Sequence, residues 1–401
     1  MKSDIFLIQV GHNGSPLTKQ AIEKKYADGA ILSPADYKPD ENKDLSKNIR
    51  AKDGIVLFDN HWYMPRSKRP KLSEYDYFKN FGGEGYDTTN FEKEKIRNEF
   101  CDEIIKIQDD LSVDAYISPA VYINTFSKTK IQNYMDLSRS FLKCVKKNGR
   151  KIPSLISVPI CNKVLIDVDH RKDILNYLTS LDCDGFYISY VVEEGEGYPL
   201  TRPADVISLL NFVFSLKQND YYVLMGHSHH ISYLLLCAGI DGFATGHYKN
   251  LRSFDINRWD IEESGGRTPA INYFSTHLLN DLRVESDLEM LYQYQIDLKT
   301  VKSGSPFEEN LFSQSPSLAL TTWKHRKSWD HYLWCCNELL ERQKNKSLLE
   351  RVSNLESHIK NAEDLYNKYD EIGLLTQPDE KIYASWKSAL KILKNMIQQN
   401  K

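Results

Sequence analysis

The chain has 401 residues, 41% hydrophobic and 27% charged, a globular composition long enough for one large domain and an appendage. With 52 Lys and Arg against 55 Asp and Glu it has no basic excess of the kind that phosphate neutralisation leaves, which disfavours a nucleic-acid substrate. No run approaches the ~18 apolar residues of a membrane span, the N-terminal IFLIQV is too short for a signal-peptide core, and scattered cysteines suit a reducing compartment. A cytoplasmic protein with no membrane partner is expected.

Short runs rich in Val, Ile, Tyr and Phe alternate with helical patterns up to about residue 250. In chain order the predicted strands are Ile5–Val10, Ala30–Ser33, Ile55–Phe58, Ala115–Ser118, Leu155–Val158, Phe186–Tyr190, Tyr222–Met225 and Gly242–Thr245. The predicted helices are Leu17–Ala27, Phe91–Asp110, Lys128–Lys147, His170–Leu181, Pro203–Lys217 and Ile231–Ala238, with the weakest signal after the second strand. Asp53-Gly54, Asp184-Gly185 and Asp241-Gly242 mark strand starts. This alternation predicts an α/β fold, a closed (β/α)8 TIM barrel. The alternative, an open doubly wound sheet, lacks a Gly-x-Gly-x-x-Gly after any strand.

Residues 1–255 are therefore read as the barrel and 256–316 as a loop-rich connection packing on it. Residues 317–401 are read as a helical extension, one helical pattern from Leu318 to Tyr369 and another from Glu380 to Met396. Those amphipathic helices suit either packing on the barrel wall or a partner or homodimer interface.

Function in such barrels gathers just past the C-terminal strand ends. That rule nominates His12, Pro34-Ala35-Asp36, Asp59-Asn60-His61, Pro119-Ala120, Pro159-Ile160, Tyr190 to Glu194, Gly226-His227 and Gly246-His247. Only Asp59 puts a carboxylate directly at a tip. The stretch Gly226-His227-Ser228-His229-His230, with His247 one strand on, invites a metal-dependent hydrolase reading, because imidazole is the common zinc ligand. Strand one, however, offers His12 alone and strand eight no acidic ligand. No metal or cofactor is expected, and His229 and His230 are expected at the surface or capping a helix. A Gly-x-Ser-x-Gly elbow and a P-loop are both missing. Phe81-Gly-Gly-Glu-Gly85 and Glu193-Glu-Gly-Glu-Gly197 read as loops, the second with carboxylates that would repel phosphate.

Five stretches are similar in order and spacing to the tRNA-guanine transglycosylases: Ile55-Val-Leu-Phe-Asp59, Ser112-Val-Asp114, Asp184-Gly185-Phe186, Tyr222-Val-Leu-Met225-Gly226 and Gly239-Ile-Asp241-Gly-Phe243. The resemblance implies a (β/α)8 barrel over about residues 1–255, with Asp59 as acid/base. It makes Tyr63 and Met225 the two faces of a base slot and places Ser189, Tyr190, Gly226, Gly246 and His247 around it. It also marks departures. The nucleophilic aspartate falls on Ala244, the base-reading aspartate near Ala120, the base-reading glutamine near Pro159, and the zinc motif has no counterpart. The implied protein is catalytically remodelled and binds a 7-deazaguanine-type base presented by a partner, a cGAS-like nucleotidyltransferase (CD-NTase) of CBASS antiviral defence. The alternative is an active transglycosylase exchanging guanine for a 7-deazaguanine in DNA or RNA, with Asp255 as the nucleophile. A homodimer is compatible with either.

Overall fold

The computed structural model describes all residues except 150, 194–197, 260–269, 313–316, 371–372, 374–378 and 401. Eight parallel strands form one sheet: β1 (Ile5–Gln9), β2 (Gly29–Leu32), β3 (Ile55–Phe58), β4 (Tyr116–Ile117), β5 (Ser154–Cys161), β6 (Gly185–Val191), β7 (Tyr222–Gly226) and β8 (Gly242–Thr245). Their order is β3-β2-β1-β8-β7-β6-β5-β4, so β8 pairs with β1 and the sheet curls into a nearly closed barrel. The seam between β3 and β4 is held by Asp114. Its N–H donates to Val56 O at 2.9 Å and its carboxylate accepts Val56 N–H at 2.8 Å. The predicted (β/α)8 fold is the observed one.

Alternation along each strand fixes which side chains fill the barrel. Ile5, Leu7, Ile31, Leu57, Ala115, Ile117, Leu155, Tyr187, Leu224 and Ala244 make one buried cluster. Phe6 and Phe243 lie on the opposite face of their strands, stacked at 5.1 Å. At the barrel floor, aspartates stand just before every second strand. Asp28, Asp114, Asp184 and Asp241 accept the backbone N–H of Phe6, Val56, Ser154 and Val223 at 2.8, 2.8, 2.7 and 2.8 Å.

Several helices differ from expectation. A helix does follow β2, Pro39–Arg50, started by Pro39 in its first turn and by the Glu41 carboxylate accepting Lys38 N–H at 2.7 Å. The long pattern from Leu318 is two helices, His325–Glu341 and Leu348–Asp370. The break falls where Asn345 takes a positive φ of 58° and Ser347 and Glu350 cap the second helix reciprocally. The stretch expected to be loop-rich contains an antiparallel pair, β9 (Asn272–Ser275) with β10 (Asn280–Arg283).

The chain forms two compact units, neither continuous in sequence. The first comprises residues 1–198, 211–229 and 239–265; the second comprises 199–210, 230–238 and 266–401. The eight barrel strands belong to the first. The β9–β10 pair, the two helices above and Lys381–Gln399 belong to the second. Among the described residues no helix is long and apolar enough to cross a membrane.

Candidate functional site at the strand tips

The tip of β3 is bent by its own polar residues. Asp59 Oδ1 accepts His61 N–H at 3.1 Å and Asn60 Oδ1 accepts Trp62 N–H at 3.1 Å, two successive Asx turns that hold His61 at φ 56°. This turn leaves Asp59 over the barrel axis, 1% exposed. Its Oδ2 accepts the Tyr187 hydroxyl at 3.1 Å, and that hydroxyl also lies 3.3 Å from Gln9 Oε1. His61 Nε2 and His227 Nε2 each stand 4.0 Å from the same oxygen.

Burial dominates the electrostatics here. It pushes the Asp59 carboxyl up to about 6, against the lowering effect of the His61 N–H and the hydroxyls of Tyr187 and Tyr63. Burial also holds His61 and His227 well below the usual imidazole range, helped in both by the nearby Arg258 charge. Both rings are therefore neutral at pH 7. A carboxyl that titrates near neutrality beside two neutral imidazoles can take or give a proton, or read an N–H on a ligand edge.

The mouth above this group is covered by the chain after β8. Phe254 sits edge-on to Tyr63 at 4.8 Å and at 5.0 Å from His227. Arg69 donates to Arg258 O at 3.2 and 2.6 Å, and Arg258 faces Asp36 at 3.6 Å.

The expected site residues are only partly assembled. Asp59, Tyr63, Ser189, Gly226, Gly246 and His247 are buried, and Asp59, Tyr63, Ser189 and Gly226 gather around Tyr187. Gly226 is required by that tyrosine, since a Cβ would stand 2.4 Å from its ring, and Gly246 by Leu251, whose Cβ would lie at 2.2 Å. Met225 alternates with the inward Leu224, so it lies on the outer face of β7, level with Phe243, and is no partner for Tyr63 across a slot. Tyr190 likewise alternates with Tyr187 and Ser189 to the other face of β6. Ala244 lies in the barrel core. Asp255 is exposed, its carboxylate accepting Asn257 N–H at 3.0 Å, rather than at the axis.

His12 is exposed. His229 and His230 are buried, not at the surface, and His230 takes the N-cap position of the short helix Ile231–Leu235 without a side-chain capping hydrogen bond. His229 lies edge-on to Tyr198 at 5.1 Å, and His230 packs on Phe274 and Trp386 at 5.3 and 5.8 Å. Among the described residues no three His, Cys, Asp or Glu side chains are grouped to hold a metal ion. Glu194 to Gly197, the end of the acidic loop, lies outside the described residues.

Sequence reasoning missed a cavity of about 310 Å³ beside the mouth, lined by Trp62, Tyr63, Pro65, Tyr86, Thr88, Phe91, Arg97, Val121, Tyr122, Ile123, Asn124, Lys130, Asn133 and Leu137. Its aromatic wall is built by the long segment after β3. Trp62 packs on Phe100, Phe91 and Tyr86 at 4.2, 5.6 and 5.7 Å. Tyr63 joins the two features, its hydroxyl acting to lower the Asp59 carboxyl and its side chain lining the cavity.

No family model matches the chain, and no characterised protein matches its sequence. Several solved structures align with part of the chain. Fungal beta-1,4-galactanases align at 10% identity over 59% of this chain and 88% of theirs, TM-score 0.38. A 2,3-dimethylmalate lyase of the PEP mutase/isocitrate lyase superfamily aligns at 9% identity over 62% of this chain and 75% of its own, TM-score 0.35. The 3-dehydroquinate dehydratase of Aquifex aeolicus VF5 aligns at 12% over 64% and 95%, TM-score 0.33.

Proposed function

We propose that this chain is a catalytically remodelled, transglycosylase-like barrel that binds a 7-deazaguanine-type base without exchanging it. The base is presented by a partner, a nucleotidyltransferase of the kind found in anti-phage signalling. The observation that carries this reading is the cavity of about 310 Å³ walled by Trp62, Tyr63, Tyr86, Phe91 and Tyr122, with the Asn124 and Asn133 amides among them. Flat aromatic walls with amides that both donate and accept suit a heterocycle with a polar edge, in a pocket of ligand size. Ala244 supports the absence of exchange, since a methyl group offers no nucleophile for a covalent intermediate.

A second reading, active base exchange, is favoured by the Asp59 carboxyl at about 6, in the range of a general acid or base. Its expected nucleophile, Asp255, is exposed and accepts Asn257 N–H at 3.0 Å.

Calorimetry with 7-cyano-7-deazaguanine tests the proposal. Micromolar binding is expected, weakened about tenfold by Tyr63→Ala, the effect of losing one stacking ring. The nucleotidyltransferase is expected to copurify. Absence of binding at millimolar ligand overturns the reading, and transfer of labelled base into DNA or RNA establishes the second one instead.

A further inference from the structure

The aromatic cavity holds two cations for which a neutral base has no use. Arg97, on the helix Glu94–Asp110, donates through Nη1 to Phe91 O at 2.7 Å and Glu92 O at 2.8 Å, and through Nε to Ser140 Oγ at 3.2 Å. Lys130, on the helix Lys128–Lys147, donates to Asn124 Oδ1 at 2.8 Å and Thr125 Oγ1 at 3.1 Å. These acceptors are neutral, so they aim the two side chains without cancelling their charge. The neighbouring acids have lysine partners of their own. Glu94, one turn before Arg97, pairs with Lys143 at 2.5 Å and only secondarily feels the Arg97 charge, and Glu193, which accepts the Tyr122 hydroxyl at the rim, pairs with Lys163 at 3.5 Å.

The layout is directional. Lys130, Asn133 and Leu137 lie on one stripe of their helix, so lysine, amide and apolar side chain follow one another along a cavity wall. Lys130 is exposed, whereas Arg97 is half-buried. A ligand that suits this order is flat and apolar on its faces, polar at one edge, and negatively charged at an end.

We infer that the cavity takes an anion, a purine-type nucleotide, with its base among the aromatic rings and its phosphate answered by Lys130 and Arg97. The inference rests on the base-binding half of the reading above, and it replaces presentation on a partner protein by a nucleotide that carries its own phosphate. A base carried on a protein through a neutral linkage would leave both charges unanswered, whereas a phosphate answers them by charge-assisted hydrogen bonds.

Calorimetry on the full chain with GMP, guanosine and inorganic pyrophosphate, at low and moderate salt, tests it. GMP is expected to bind at least tenfold more tightly than guanosine. That preference is expected to shrink as salt rises and to disappear in Lys130→Gln and in Lys130→Gln/Arg97→Gln. Lys130→Gln alters only an exposed side chain, so it stays informative if the double variant misfolds. Equal affinities for GMP and guanosine overturn the inference and leave the base-binding reading standing. Pyrophosphate binding that Lys130→Gln abolishes, with no binding of guanosine or GMP, overturns the inference and removes the base-binding reading, leaving a simple anion site. No binding of any probe removes both.

Discussion

Asp59 joins sequence, burial and proton chemistry in one side chain. Its pKa is raised in the folded state from 3.8 to about 6, so the folded protein binds more protons than the unfolded chain between those values. Stability from this group is therefore fully present below about pH 4, falls as pH rises to about 6, and then levels at a cost on the order of 3 kcal/mol. The neutral histidines His61 and His227 act oppositely. Their folded pKa values are lowered, so stability is lost as pH falls below 6.5. A comparison of Asp59→Asn with the parent isolates the carboxyl. In urea titrations from pH 4 to 8 the variant should gain on the parent up to about pH 6 and keep a constant advantage above it. A difference that does not change with pH would place the carboxyl outside the buried cluster. Asp59 was legible because a lone carboxylate after an apolar run is conspicuous, and Tyr63 followed from the resemblance. Met225 was misread because matching a motif says nothing about the face a strand residue occupies, which alternation decides.

At the scale of elements, the four floor aspartates explain why the barrel was readable and why the resemblance says less than its five stretches suggest. Asp114, Asp184 and Asp241 are three of the residues that carry it, and each caps the backbone of the preceding strand. They report how a parallel barrel starts its even strands, not what its mouth binds. Asp241 is the most committed. It accepts Ser3 Oγ at 2.9 Å and Val223 N–H at 2.8 Å, pairs with Lys217 at 2.6 Å, and is buried. Asp241→Ala should cost about 3 kcal/mol by leaving a cation and an amide without their acceptor, against about 1 kcal/mol for Asp184→Ala at its exposed position. Urea midpoints in the reverse order would show that the caps are incidental. The mouth cavity stayed hidden for the opposite reason. Trp62 and Tyr86 come from an irregular stretch after β3, Phe91 and Arg97 from the start of the helical pattern that follows it, and Tyr122 and Lys130 from beyond β4, so nothing local announces their meeting.

For the whole molecule, the sequence suggested a barrel ending near residue 255 with an appendage after it, but the compact units are interleaved. Residues 199–210 and 230–238 belong to the second unit although they lie between barrel strands in the chain. They carry buried apolar side chains, among them Leu209, Leu210, Tyr233, Leu234, Leu235 and Leu236. Their partners come from the C-terminal helices. Arg351 donates to Leu236 O at 3.2 Å, His358 lies 3.4 Å from the Tyr233 hydroxyl, and His230 packs on Trp386. A chain ending at residue 265 would keep all eight strands yet strip these segments of their cover. Exposing several large aliphatic side chains costs roughly 1.5–3 kcal/mol each, comparable in sum to the whole stability of a domain. The truncated chain is therefore expected to bind a hydrophobic dye, aggregate, and show no cooperative thermal transition, whereas the full chain melts cooperatively. A truncated barrel that melts as sharply as the full chain would mean that the two segments fold with the strands that flank them, and that the second unit is dispensable to the first.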